Sequence, residues 1–578
     1  MWKVFKNSIS KVKRESILSM IFIVFESVFE IVVPLMMARL IDYGIEQNNM
    51  LEITRYGWII IVLVVLEAFA GCMCAVYAIK ASTIFAKDLR DRLFRKLQTF
   101  AFANIDKFST GSLVTRSTTD ITNVQRAFQM LIRGAIRSIG MAIFSLVLSY
   151  SIYPRLAIIF TIMMPFVVAS FVIISKFAEP YFEKMFDAFD SLNNVMSENI
   201  HNMRVVKTFN REDYEFTKMK KTADDIYGYS VKAETYVALW DPFMNISMYV
   251  VIILISWIGA KAIIASGNNP ALGLTTGKLM SLITYGMQML MSLMFISMIY
   301  VMLVISRASI ERVKEVLVEE TAIKNPPNPI MDVKDGSVDI SNVSFTYSDK
   351  AKNRVLRDID VHIKSGDMIG LIGGTGSGKS SFVNLIPRLY DATSGVVKVG
   401  DVDVREYDLH TLRSAIGIVL QKNVLFSGTI ASNLRFGNEN ATLDEMREAA
   451  DIAGALDFIE ENKDGFDATV EQGGTNFSGG QKQRLSIART ILKKPKILIF
   501  DDSTSAVDTK TDAKIRDGLK NRLKNTTKII ISQRIISIKE CDKIIVMDNG
   551  RIVAYDTHEN LINTCSLYKD IYDIQENS

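Results

Sequence analysis

Six long apolar runs, near 17–41, 56–78, 134–153, 156–178, 243–266 and 278–305, dominate the first half of the chain. Each would, as a helix, cross a hydrocarbon layer about 30 Å thick. A stretch such as 249–259 carries no polar stripe of the kind a soluble helix turns toward water. The link between the third and fourth runs is little more than Tyr153, Pro154 and Arg155. The links between the second and third and between the fourth and fifth are far longer and mix charged with apolar residues. That pattern predicts that the second to fifth helices continue well past a bilayer and turn around near 104–116 and 209–218. After the sixth run the pattern changes. Asn325, Pro326, Pro327, Asn328 and Pro329 cannot lie inside a helix, because proline lacks an amide donor and restricts the residue before it. Beyond them, alternation over 337–347 and a short apolar run at 368–372 read as strands. The expected fold is multi-domain: an N-terminal elbow over 1–16, an all-α six-helix transmembrane domain with long helical extensions over 17–310, a linker over 311–335 and an α/β domain over 336–578.

Charge sets the expected orientation. Lys3, Lys6, Lys11, Lys13 and Arg14 precede the first run, and Lys87, Arg90, Arg92, Arg95 and Lys96 follow the second. Basic residues stay on the cytoplasmic side, so the N-terminus, both long links and everything after the sixth run are expected in the cytoplasm, with the spans in the plasma membrane. The net charge of +4 is too small for a chain of 578 residues to suggest a nucleic-acid partner. The cysteines Cys72, Cys74, Cys541 and Cys565 do not form a disulfide framework, and the scattered His201, His362, His410 and His558 do not suggest a zinc site.

The apolar run at 368–372 leads directly into Gly373, Gly374, Thr375, Gly376, Ser377, Gly378, Lys379 and Ser380, with Ser381 next. This fits G-x-x-x-x-G-K-[ST] in a strand–loop–helix context. Glycines allow successive amides to point inward at phosphate, the following helix adds its positive end, Lys379 is placed for the β- and γ-phosphates and the Ser380 hydroxyl for Mg²⁺. Ile497, Leu498, Ile499 and Phe500 form a second buried-strand pattern ending in Asp501, a further Mg²⁺ candidate. Between the two lies Phe477, Ser478, Gly479, Gly480 and Gln481 at the start of a helix, a second anion-binding nest. One nucleotide has one triphosphate, so the second nest is available to a nucleotide held by another subunit.

These motifs, with six preceding spans, resemble the exporter branch of the ATP-binding cassette superfamily over essentially the whole chain. The resemblance implies two chains or halves that sandwich two ATP molecules with Mg²⁺, Tyr347 stacked on adenine, and Gln421 coupling Mg²⁺ to the membrane domain. It also implies a dimer-crossing loop at Ser505, Ala506, Val507 and Asp508, and coupling helices at 104–116 and 209–218. Two positions depart from the family pattern. Where active cassettes place a glutamate general base after the strand aspartate, this chain has Asp502, and where they place a switch histidine it has Gln533. Aspartate is one methylene shorter than glutamate, and a well-placed base contributes about 10²- to 10⁴-fold. The expectation is a degenerate ATP site in one half of a heterodimeric exporter, whose nest completes the catalytic site of a non-identical partner half-transporter. The rival readings are a homodimer with slow hydrolysis and an ATP-gated membrane subunit without cargo.

Glu26, Glu30 and Glu67 fall inside the first two spans, where a charge is costly unless it meets water or a partner. Glu26 and Glu30 share a helix face and would line a cavity favouring cationic amphiphiles, unless they serve as interhelical partners. Met280, Met287, Met291, Met294 and Met298 recur along the sixth span, a flexible surface suited to varied amphiphilic, drug-like or lipid-like substrates.

Overall fold

The apolar runs form six helices much longer than the runs themselves: Lys13–Ile45 (α1), Met50–Gln98 (α2), Thr110–Ile152 (α3), Pro154–His201 (α4), Glu212–Ser266 (α5) and Thr276–Val318 (α6). At about 1.5 Å per residue, the 49 residues of α2 extend roughly 70 Å, far beyond the thickness of a hydrocarbon layer. Pro154 opens α4, where its fixed φ suits the first turn and its missing amide would have had no partner. The sixth helix ends at Val318, past the boundary expected at residue 310. The first long turnaround contains the short helix Phe102–Phe108. The second contains Met203–Thr208, slightly before the expected 209–218, and Asn210 then takes a left-handed φ of 50° ahead of α5.

The chain is known here from a computed structural model that describes residues 2–268, 273–347, 354–502 and 508–576. It divides into two units, Met1–Gln98 with Thr110–Glu319, and Thr99–Ser109 with Glu320–Ser578.

In the first unit, small and polar residues bring the helices close. A Cβ at Gly277 of α6 would stand 2.3 Å from the Ala38 carbonyl oxygen of α1. Around that approach the Asp42 carboxylate accepts from Gly277 N at 2.9 Å and Thr275 Oγ1 at 2.6 Å. Ser281 and Tyr285 donate to the Pro34 and Ile31 carbonyls of α1. At the other end of α6, Arg312 donates to Asp120 of α3 at 2.5 and 2.8 Å, and Arg116 to Glu315 at 2.7 Å. The outer face of α2 exposes Trp58, Ile61, Val65 and Phe69, which fits a helix facing lipid.

The second unit contains two larger sheets. One is antiparallel, ordered β2-β1-β4-β5, from Val338–Phe345 (β1), Leu356–Ile363 (β2), Ser394–Val399 (β4) and Val402–Asp403 (β5). The other is ordered β12-β11-β3-β10-β9-β6, from Met368–Gly373 (β3), Ile416–Val419 (β6), Ile497–Asp501 (β9), Thr527–Ile531 (β10), Lys543–Asp548 (β11) and Arg551–Asp556 (β12). Gly428–Thr429 (β7) and Thr469–Val470 (β8) make a small ribbon. Strands β3, β10 and β9 are parallel neighbours and buried throughout. Continuous apolar sequence is what a strand covered on both faces requires.

Candidate functional site

The parallel order β3-β10-β9 puts the carboxyl ends of three strands side by side. In open α/β sheets this edge is where ligands are held. Here it gathers the loop after β3, Asp501 and Asp502 at the end of β9, and Gln533 just after β10.

The loop after β3 can turn only because of its glycines. A Cβ at Gly373 would lie 2.1 Å from the Met547 carbonyl oxygen, and Gly378 has φ +98° with Leu356 close behind it. Lys379 begins the helix Lys379–Leu385 and donates to the Gly373 and Gly374 carbonyls, both at 2.8 Å, and to Ser377 Oγ at 3.3 Å. Burial lowers its ammonium pKa below the ordinary lysine value, against the pull of Asp502 and Asp501. Ser380 Oγ donates to Asp501 Oδ1 at 2.9 Å. Burial raises the Asp501 carboxyl, although the Ser380 bond opposes that.

The pairing of a hydroxyl with one buried carboxylate is a hard-oxygen set suited to Mg²⁺, which takes one or two carboxylates and fills its remaining positions with phosphate and water. Among the described residues no cluster of three or more His, Cys, Asp or Glu forms an all-protein metal cage. Ser380 and Asp501 would hold the ion, which would neutralise charge on the phosphates.

Asp502 sits at φ +46°, in the left-handed region. Gln533 Nε2 donates to its Oδ2 at 3.1 Å. Burial raises the Asp502 carboxyl, while Lys379, then hydrogen bonds from Gln533 and Gln421, act in the opposite direction. The structure thus brings Asp502, Gln533 and Gln421 together.

Tyr347 is 48% exposed, and its hydroxyl lies 2.8 Å from Ser381 Oγ. Its ring meets Tyr390 edge-on, with centroids 5.1 Å apart. Tyr390 donates to Asp106 at 2.9 Å and packs near Phe102, both in the short helix Phe102–Phe108 that belongs to this same unit. Sequence reasoning passed over Tyr390 and Asp106. Their only signal was an aromatic residue shortly after the phosphate-loop helix and an acid in the first turnaround.

The second nest lies elsewhere on this unit. Ser478 caps the helix Gly479–Leu492: its Oγ accepts from Gln481 N at 3.2 Å, and its own amide donates to Gln481 Oε1 at 2.9 Å. Phe477 tucks against the core beside Phe458, leaving Ser478 and Gly479 exposed. Gly480 follows them on the first turn. Of the expected dimer-crossing loop, Ser505, Ala506 and Val507 lie outside the described residues; Asp508 caps the next helix by accepting from Thr511 N at 2.9 Å.

The first unit holds a cavity of about 910 Å³ between α1, α3 and α6. Of the expected cargo residues, Glu30, Met287 and Met291 line it; Glu26, Glu67 and Met294 do not. Glu26 is buried behind it, and Arg137 of α3 binds Glu30 at 2.8 Å and Glu26 at 3.6 Å. The two glutamates are therefore interhelical ion-pair partners, as charges within a membrane span generally must be. Arg126, Arg133 and Arg137, which the sequence reading did not select, also line the cavity.

A family model described as the ABC transporter transmembrane region matches residues 16–293, and one described as ABC transporter matches 356–505. The uncharacterized ABC transporter ATP-binding protein YfiB of Bacillus subtilis is 32% identical, covering 96% of this chain and 96% of its own length. The protein MT1311 of Mycobacterium tuberculosis, described in the same terms, is 34% identical over 93% of this chain and 92% of its own. A solved bacterial Atm1-family ABC exporter with ATP bound aligns at a TM-score of 0.85 over 98% of both chains; at 22% identity this concerns the fold alone.

Proposed function

Because this chain belongs to the ABC transporter family, we propose that it is one half of a heterodimeric exporter that binds ATP in its own site, hydrolyses it slowly there, and completes the catalytic site of a non-identical partner. The ABC ATPase domain couples ATP to transport across a membrane, and the multi-pass first unit is the membrane part. In the proposal the spans lie in the plasma membrane with the second unit in the cytoplasm, and the cargo is an amphiphilic small molecule.

The observation that carries the reading is the Asp502–Gln533 pair. A general base must reach the attacking water at hydrogen-bond distance. The Asp502 carboxylate is about one bond, roughly 1.5 Å, shorter in reach than a glutamate. One of its oxygens is already held by Gln533, which can donate a hydrogen bond but cannot carry an imidazolium charge. Binding makes different demands. Lys379 and the loop amides hold phosphate, Ser380 and Asp501 hold Mg²⁺, and the exposed ring of Tyr347 offers a face for adenine. The exposed Ser478 and the helix start behind it support the second half of the proposal, since they are presented away from the core for a phosphate on another chain.

Phosphate release by the purified full-length chain tests this. Wild type alone is expected well below about 1 s⁻¹, at the low end of ordinary turnover. The double change Asp502→Glu with Gln533→His should raise turnover about 10²-fold, with ATP affinity unchanged. Robust wild-type turnover without a second kind of chain would overturn the heterodimer reading.

A further inference from the structure

The geometry points to an amphiphile with an acidic headgroup as the occupant of the first unit's cavity, gripped by Arg126 and Arg133 with its apolar body against Met287, Met291 and Phe295. This rests on the export reading above and narrows its cargo.

The cavity's volume of about 910 Å³ is that of a drug- or lipid-sized site. Its charge does not favour cations. The one lining carboxylate, Glu30, is held by Arg137, which also faces Glu26. Arg126 and Arg133 have no ion-pair partner among the described residues. The lining thus carries three guanidinium groups against one carboxylate, with Glu26 beside Arg137, and this positive excess disfavours a cationic ligand and attracts a carboxylate, sulfate or phosphate, which planar donor forks match.

A second feature adjoins them. A second cavity, about 340 Å³, is lined by Arg90, Thr118, Thr119, Thr122, Asn123 and Arg126. Arg90 donates to Thr122 Oγ1 at 3.2 Å. Hydroxyls, an amide and two guanidinium groups make this a polar pocket rich in donors, and Arg126 belongs to both cavities. The larger cavity is mostly apolar toward α6, with Met287, Met291, Phe295 and Met302. One end therefore offers an anion several hydrogen-bond donors, and the other accepts varied hydrocarbon through flexible thioethers. Such a site is strict about the headgroup and permissive about the tail.

The test is equilibrium binding to the full-length chain in nanodiscs of zwitterionic lipid, without ATP. Three fluorescent probes share one acyl tail and carry a phosphate, a phosphocholine or a quaternary ammonium head. The phosphate probe should bind at least about tenfold more tightly than either other. Arg126→Gln with Arg133→Gln should weaken the phosphate probe far more than the phosphocholine probe and so remove that preference, whereas Arg126→Lys with Arg133→Lys should retain most of it. Met287→Ser with Met291→Ser should weaken all three probes together. A preference for the ammonium probe, no binding of any probe, or an undiminished phosphate preference in the double glutamine variant would overturn the proposal. Inorganic phosphate competing as well as the tailed probe would also overturn it, by showing that a free anion suffices. No turnover enters this measurement, so failure of ATP-driven export would appear separately, in vesicle transport assays.

Discussion

Asp501 and Asp502 are adjacent carboxylates at the end of one buried strand, and their surroundings set them apart. Asp501 belongs to the strand and faces Ser380, while Asp502 has left the strand at a positive φ and faces Gln533. Burial holds the Asp501 carboxyl above its ordinary value. In the nucleotide-free chain that contribution favours the fold at low pH, where Asp501 is protonated, and is lost as pH rises through its raised pKa. Mg²⁺ requires the carboxylate, so the linkage for binding has the opposite sign. Calorimetric affinity for Mg-ATP should fall as pH drops from 8 toward 5, with proton release on binding. Asp501→Asn should abolish both the Mg²⁺ requirement and this pH dependence. A single methyl group is decisive in the other unit. Gly277→Ala would drive a Cβ into the Ala38 carbonyl and the Asp42 carboxylate, and overpacking of this kind costs about 1–3 kcal/mol. A lower thermal unfolding midpoint in detergent, with ATP affinity retained, is the expected result. The phosphate-loop residues were legible in the sequence because only those residue types at that spacing make such a cradle. Arg126 and Arg133 were not, because an arginine on a long charged helix looks the same in sequence whether it faces water or a cavity.

Two short elements transmit what the single residues do. Ser478 and Gln481 cap the helix Gly479–Leu492 reciprocally. Losing an N-cap costs about 1 kcal/mol, so Ser478→Ala should leave this chain folded. In the proposed heterodimer it should nevertheless strongly reduce phosphate release, because there the nest would serve the partner's nucleotide. Lys379→Ala in this chain should lower its own ATP occupancy and slow turnover less than Ser478→Ala does; the reverse order would contradict the division of labour. The helix Phe102–Phe108 is tied to Tyr390, which in turn meets Tyr347. Burial, then the Asp106 carboxylate, keeps the Tyr390 phenol protonated far above neutral pH, so this bond persists across the working range. Tyr390→Phe removes a bond worth about 0.5–1.5 kcal/mol net. Hydrogen exchange over 102–108 should accelerate, with ATP affinity little changed. The turnaround itself was visible as a break between helical patterns, but its helix proved shorter than 104–116, since Ser109 takes a positive φ and ends it.

At the scale of the whole chain, the two units divide binding from transport. The second unit gathers the phosphate loop, Asp501, Asp502 and Gln533 at one sheet edge and presents Ser478 at the surface. Under the proposed reading of weak hydrolysis at this edge, a second site must reset the assembly. On that reading, pairing with a chain bearing glutamate and histidine at the positions of Asp502 and Gln533 should give turnover well above that of this chain alone. The first unit binds its helices to one another through Asp42, Tyr285 and Asp120. Its cavity lies among α1, α3 and α6, which those bonds hold together.

The sequence by itself determined the six spans, the α/β unit after them and the identity of every phosphate-loop residue, because hydropathy period and motif spacing are local properties of the chain. Glu26 and Glu30 were legible as charges within a span for the same reason. Their partner was not: Arg137 lies more than a hundred positions away, and only helix packing brings it to 2.8 Å from Glu30. The meeting of Gln533 with Asp502, and the gathering of Arg126, Arg133 and Arg137 around one cavity, were likewise decided by tertiary structure. Sign and solvation at a site depend on what distant segments place there, which no local pattern encodes.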